Sequence, residues 1–300
     1  YSKKFATGVV AGSSVLGMMI PPSLLMIVYA VLAEQSVGRM FLAGVGPGLL
    51  LSVVFAVTIL LLAKQRKNFV FDNADDHTEF EDFSFGELLR KAVPILSLML
   101  IVLGGLYGGF LNPTEAGAAG AAGALVIAIL RKSLPKRTLW NLMVETGQIT
   151  VSVLFLILAA TFFSRMLALS GVPRELASFF LDSSIGPFGF LIFYLILIVI
   201  LGCLIDSISI MLIVLPIALP VAEAAGFDLI WFGVIVVMTV ELGLITPPVG
   251  MNVYVINSIA SRVSLPTIFK GVLPFVTVDV LRLLLLIAFP ALVLFLPGRM

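Results

Sequence analysis

The chain has 300 residues, of which 60% are hydrophobic and 12% charged, with a formal net charge of +1 and a mean hydropathy of +1.18. A soluble domain runs at about 45–50% apolar and about 25% charged, so this chain has too little polar residue to cover a globule. The single cysteine, Cys203, and the single histidine, His77, exclude a disulfide framework, a thiolate metal cluster, a histidine triad and a zinc site, which argues against hydrolytic or redox chemistry.

Apolar runs recur along the chain. They are continuous rather than alternating, which favours an all-α polytopic membrane protein over a β-barrel. The chain opens Tyr1-Ser2-Lys3-Lys4-Phe5 with no signal-peptide layout and reads as the later portion of a longer protein. The first apolar segment, 5–33, is interrupted at Gly17-Met18-Met19-Ile20-Pro21-Pro22. A Gly/Pro-rich stretch at 37–47 leads into a span at 46–63. Residues 64–91 form a polar loop with an acidic patch around His77, expected to stay solvated. Spans follow at 92–110, 113–130 and 148–169. The second of these opens on Asn112-Pro113-Thr114-Glu115, a capping arrangement, and its Gly117, Gly120 and Gly123 predict a close helix contact.

Segment 188–222 is too long for one ordinary span and carries Asp206-Ser207-Ile208-Ser209 near its middle, so it reads as a re-entrant hairpin. Segment 230–260 is interrupted at Gly243-Leu244-Ile245-Thr246-Pro247-Pro248, and a last span is expected at 273–297. With the hairpin counted, Lys3, Lys4, Lys64, Arg66, Lys67, Arg90, Lys91, Arg131, Lys132, Lys136, Arg137, Arg262 and Lys270 fall on one face. Arg39, Arg165, Arg174 and Arg299 fall near the other, and Arg282 lies within the last span. The positive-inside rule makes the first face cytoplasmic, whereas a single crossing at 188–222 would weaken the bias.

The two interrupted segments share a G-x-[MI]-x-P-P pattern, and Phe41 to Pro47 resembles Phe269 to Pro274 with one residue of slippage. In the expected topology the two copies run in opposite directions, the inverted-repeat signature of a secondary transporter with a midplane site. Proline pairs remove donors and free carbonyls that lipid cannot satisfy. Such carbonyls, with Ser and Thr hydroxyls, suit a sodium ion, and half-helix N-termini suit an anion.

Leu16 to Ser23, Phe41-Leu42-Ala43-Gly44, Asn112-Pro113-Thr114-Glu115-Ala116, and Trp231-Phe232-Gly233 leading to Gly243 through Gly250 together resemble one family from residue 1 to about 297. It is the large membrane subunit of tripartite ATP-independent periplasmic (TRAP) transporters. Asn112 stands where that family usually has Thr, a mild departure. The resemblance implies sodium-driven import of an organic acid, such as a C4-dicarboxylate or sialic acid, across the bacterial inner membrane. It implies a small membrane subunit and a soluble periplasmic binding protein as partners, and co-transported sodium with no organic cofactor. It also implies an elevator-like architecture. There the broken helices at 1–33 and 230–260 and the hairpin at 188–222 form a transport domain. Arms and scaffold spans at 34–63 and 264–297, with connecting and scaffold spans at 92–169, surround it.

Within that frame Asp206, Ser207 and Ser209 are expected at a sodium site with Gly243, Thr246 and Gly250. Asp206 also reads as the cap of the helix it precedes, and one residue serves both purposes. Ser14 and Gly17 are expected at the other ion site, and Ser23 and Asn252 at the substrate, against a reading of all four as packing or backbone-satisfying groups. Ser13 reads as a packing residue, Arg282 as a partner of Asp279, Glu241 as a buried ion-pair partner, and Arg165 and Trp231 as interfacial anchors. Three other readings stand beside the importer: a stand-alone sodium–anion symporter, a passive channel and an intramembrane enzyme.

Overall fold

The computed structural model describes residues 1–71, 85–132, 134–182 and 186–299, which contain helices and no strand. His77 and the acids from Asp72 to Asp82 lie outside the described residues. In chain order the helices are α1 (Lys3–Ser13), α2 (Leu16–Met19), α3 (Leu24–Leu32), α4 (Val37–Gln65), α5 (Lys67–Val70), α6 (Phe85–Tyr107), α7 (Pro113–Leu130) and α8 (Lys136–Ser170). They continue as α9 (Val172–Asp182), α10 (Gly186–Gly202), α11 (Ser207–Ala224), α12 (Leu229–Ile245), α13 (Met251–Ile259), α14 (Leu265–Ala288) and α15 (Ala291–Leu294).

Short polar residues set the starts of these helices in an otherwise apolar chain. Ser2, Ser23, Ser36, Asn112, Asp206 and Asp228 each accept a hydrogen bond from a first-turn backbone N–H. Asn112 and Glu115 form the reciprocal capping box their spacing predicts. Among the described residues six helices are long and apolar enough to cross a membrane, and Lys3–Met19 with Leu24–Leu32, bent by 44°, makes a seventh when the pair is counted as one span.

Four boundaries differ from those read in the sequence. The stretch at 37–47 and the span after it are one continuous helix, α4, with Pro47 inside, and α14 likewise runs unbroken through Pro274. α14 ends at Ala288, because Phe289 precedes Pro290 and the residue before a proline is turned away from helix. α8 starts at Lys136, well before its apolar run, since residues such as Glu145 and Gln148 continue a helix as readily as leucine does.

The chain divides into two compact units, Ala74–Leu156 and the rest, Tyr1–Asn73 with Ile157–Met300. In the smaller unit α6 and α7 pack where Gly120 and Gly123 leave no room for a Cβ, facing Val102 and Leu98 at 2.8 and 2.9 Å. This is the close contact expected from the glycine spacing, although Gly117 meets nothing. Leu100, Val126 and Phe155 stand exposed on this unit's helices, as lipid-facing side chains do.

The larger unit is organised around α12, whose residues Ile230 to Ile245 are buried without exception. A helix apolar all round belongs in an interior, and this one is enclosed by α3, α4, α10, α11 and α14. The two broken helices run antiparallel. Tyr29, late in the first, donates to the Leu229 carbonyl at 2.6 Å, and Asn252, late in the second, donates to Ser14 at 2.9 Å. Gly8 of α1 lies so close to Gly271 of α14 that a Cβ on either would overlap backbone of the other's helix. Between α1, α4, α13 and α14 sits a core that includes Val15, Leu51, Val253 and Ile268, with Phe55 and Phe275 edge to face at 5.3 Å.

The stretch from α10 to α11 reverses direction at residues 203–206. α10 runs alongside α12 in the same sense, from Tyr194 stacked on Phe232 to Gly202 against Gly243. α11 then returns to Ala224, a few residues from where α12 begins. Phe188, at the other end of α10, meets Phe227 in that same connection. One end of this unit gathers Lys3, Lys4, Lys64, Arg66, Lys67, Arg262 and Lys270, with no acid among the described residues there. The opposite end carries Glu34, Glu223 and Asp228 with Arg39 and Arg165.

Candidate functional site

The first break lies at residues 20–23, between α2 and α3, and the hairpin tip lies against it. Gly17, Met18, Pro22, Ser23, Ser207 and Ile208 are among the residues lining a cleft of about 290 Å³. Two helix N-termini open on this cleft, that of α3 behind its cap Ser23 and that of α11 behind its cap Asp206. Each leaves first-turn N–H groups and the positive end of a helix dipole directed at the same space. The lining holds no charged side chain. Such a cleft suits a small anion better than a cation.

The second break, Thr246–Gly250, presents the opposite polarity. α10 and α12 both end here with their C-termini side by side. A Cβ built on Gly202 or Gly243 would stand 2.9 or 2.7 Å from the other's Cα. The Cys203 thiol donates to the Pro247 carbonyl at 3.4 Å. Thr246 bonds back to Leu242 through its hydroxyl at 2.6 Å and to Gly243 through its N–H at 3.1 Å. Pro247 and Pro248 have no N–H to offer, so the helix end keeps carbonyls with no helical partner. Gly250 turns the chain into α13 with φ +60°, and a Cβ there would stand 3.1 Å from the Thr246 carbonyl oxygen. Both Pro-Pro bonds, Pro21-Pro22 and Pro247-Pro248, are cis.

The expected site residues therefore divide into groups. Gly17, Ser23 and Ser207 share the first cleft. Ser14 and Asn252 bond to each other, and Ser14 also donates to the Ala11 carbonyl at 2.7 Å, so both polar groups have protein partners. Gly243, Thr246 and Gly250 build the second break. Asp206 accepts from the Ser209 N–H at 3.0 Å and from the Ser209 hydroxyl, which makes it the N-cap of α11. The Asp206 side chain is exposed rather than enclosed at the tip.

Of the other side chains, Trp231 departs from its expected place. Trp231, expected at an interface, is buried on α12 and donates its indole N–H to the Leu286 carbonyl at 3.0 Å, because α14 covers that face. Arg282 pairs with Asp279 as the one-turn spacing predicts, at 2.7 Å. Glu241 is buried, but neither of its oxygens has a hydrogen-bond partner among the described residues. Ser13 bonds to its own helix, at Val10, and Arg165 lines a cleft of about 480 Å³ with Glu34 and Glu223. The part Gly202 and Cys203 take in the second break has only a modest signal in the sequence: two small residues shortly before a polar tip.

The family model for the tripartite ATP-independent periplasmic transporter, DctM component, matches residues 1–292. The C4-dicarboxylate TRAP transporter large permease protein DctM of Pseudomonas aeruginosa is 35% identical over 99% of this chain and 68% of its own length. The sialic acid TRAP transporter large permease protein SiaM of Vibrio cholerae is 31% identical over 99% of the chain and 68% of its own length. The ectoine TRAP transporter large permease protein TeaC of Halomonas elongata is 32% identical over the same shares. A match this long, joined to a helical unit with two Pro-Pro breaks and a multi-pass pattern of apolar helices, means that this chain belongs to the DctM component family of TRAP transporters.

Proposed function

We propose that this chain is the conducting subunit of a sodium-coupled importer of an organic acid in a bacterial inner membrane. The observation that carries the reading is the convergence of the α3 and α11 N-termini on one uncharged cleft beside the first break. A carboxylate placed there meets backbone N–H groups and two positive helix ends, without a fixed cation to hold it too tightly. Sodium belongs at the second break, where the α10 and α12 C-termini and the Thr246 hydroxyl supply oxygens. Asp206, the exposed N-cap of α11, adds one carboxylate at the hairpin tip. The relatives named for C4-dicarboxylate, sialic acid and ectoine have a carboxylate in common, and that is the substrate class proposed here.

The antiparallel broken helices support an inverted repeat, and the hairpin with α12 supports a transport body that moves against α4 and α14 by an elevator mechanism. The basic end of the larger unit is the cytoplasmic one by the positive-inside rule. Family membership favours work with a small membrane subunit and a periplasmic binding protein over a stand-alone symporter.

The test is uptake of radiolabelled organic acids into proteoliposomes holding the full-length protein with its small subunit. Each acid is measured with and without an inward sodium gradient and with and without the binding protein. Uptake that needs both is expected. Uptake driven by sodium alone would make it a stand-alone symporter, and uptake indifferent to sodium would remove the coupling.

A further inference from the structure

The second half of α4 presents one exposed apolar stripe. Val53, Val57, Leu60 and Leu61 recur at helical spacing and stand exposed, and Lys64 continues the same face one heptad after Val57. From Val53 to Lys64 the helix rises about 16 Å, the depth of one leaflet in a hydrocarbon core about 30 Å thick. The stripe is thus a wall for a hydrocarbon chain, and it ends on a cation.

Beyond that end lies a pocket of about 580 Å³ whose lining includes Lys4, Lys64, Arg66, Lys67, Asn68 and Phe69. Four of its lining residues are cations and, among the described residues, none is an acid. Lys64, Arg66 and Lys67 are exposed and form no ion pair among the described residues. Lys4 is half-buried, with its Nζ 4.1 Å from the centre of the Phe69 ring. The corner between α4 and α5 that carries these groups is tied to the start of α1. Ser2 donates through its hydroxyl to the Phe69 carbonyl at 2.6 Å and through its N–H to the Val70 carbonyl at 2.8 Å. Phe5 meets Phe69 edge to face at 6.3 Å. The cations are therefore gathered before a ligand arrives, which lowers the ordering cost of binding.

Like charges gathered in one pocket repel one another, and an anion seated among them relieves that repulsion. A free phosphate would fill the pocket and leave the stripe bare, and so would an acidic protein segment. An anionic phospholipid uses both. We propose that this corner is a binding site for an anionic phospholipid. Its phosphodiester sits among Lys4, Lys64, Arg66 and Lys67, and an acyl chain lies along Val53, Val57, Leu60 and Leu61. The bound lipid anchors the end of α4 in the leaflet on the basic side of the larger unit. This inference stands apart from the nature of the transported acid and from its coupling to sodium.

The test is native mass spectrometry of the full-length protein with its small subunit. The complex is stripped of lipid in detergent and offered phosphatidylglycerol and phosphatidylcholine with identical acyl chains. Wild type is expected to retain phosphatidylglycerol in preference. A cation beside an anionic lipid is worth about fivefold in affinity, so Lys64→Gln and Arg66→Gln are each expected to weaken phosphatidylglycerol binding by about that factor. Arg262→Gln, at the same end but outside the pocket, is expected to leave binding unchanged. Leu60→Asn is expected to weaken it, which a site for a free anion would not feel. The four substituted side chains are exposed, and the comparison of the two lipids on wild type needs no variant. Equal retention of the two lipids would overturn the proposal. So would a loss in Arg262→Gln as large as that in Lys64→Gln, or displacement of the lipid by millimolar inorganic phosphate.

Discussion

Asp206 illustrates how one side chain carries two separable roles. Its carboxylate caps α11 through Ser209, and asparagine caps as well as aspartate does. Asp206→Asn is therefore expected to leave thermal stability within a few tenths of a kcal/mol of wild type, while Asp206→Ala costs about 1 kcal/mol. If the charge also serves sodium, Asp206→Asn raises the sodium concentration needed for half-maximal uptake, and an unchanged sodium dependence would confine Asp206 to capping. Gly250 is constrained by backbone alone. Its φ of +60° costs a residue with a Cβ about 1–2 kcal/mol, and the nearby Thr246 carbonyl adds to that. Gly250→Val is expected to lower the melting temperature of the purified protein more than Gly250→Asn, since asparagine tolerates the left-handed region.

Among the elements, the closest approaches in the larger unit are made by paired glycines. Gly202 with Gly243 joins the hairpin to α12, while Gly8 with Gly271 joins α1 to α14. Leucine at Gly243 or at Gly271 must push backbone away from backbone, so each is expected to cost at least about 2–3 kcal/mol, read as lost thermal stability in detergent. α4 and α14 each run straight through a proline, which an apolar environment permits because neighbouring groups take up the freed carbonyls.

At the scale of the whole molecule, the larger unit separates its charge by end, with a cluster of cations at one and acids mixed with arginines at the other. On a Cys203→Ser background, Lys67→Cys and Ser261→Cys are expected to react with a membrane-impermeant maleimide only from the cytoplasmic side. Glu223→Cys is expected to react only from the outside. Labelling of Ser261→Cys and Glu223→Cys from the same side would refute the proposed orientation.

Much of this was legible in the sequence because hydropathy and proline act locally. The apolar runs located the spans, Gly17 through Pro22 and Gly243 through Pro248 located the breaks, and Asn112 with Glu115 specified a cap. Composition excluded a soluble globule, and the continuity of the apolar runs pointed to helices that span a membrane. What approaches each break depends on side chains far apart in sequence. Only the tertiary structure joined Ser207 to Gly17 and Ser23, set Asn252 on Ser14, and laid Gly202 on Gly243. It also turned Trp231 inward and left Glu241 buried with no hydrogen-bond partner among the described residues. The reason is physical: a helix period says which residues share a face, but not which face of another helix will cover it.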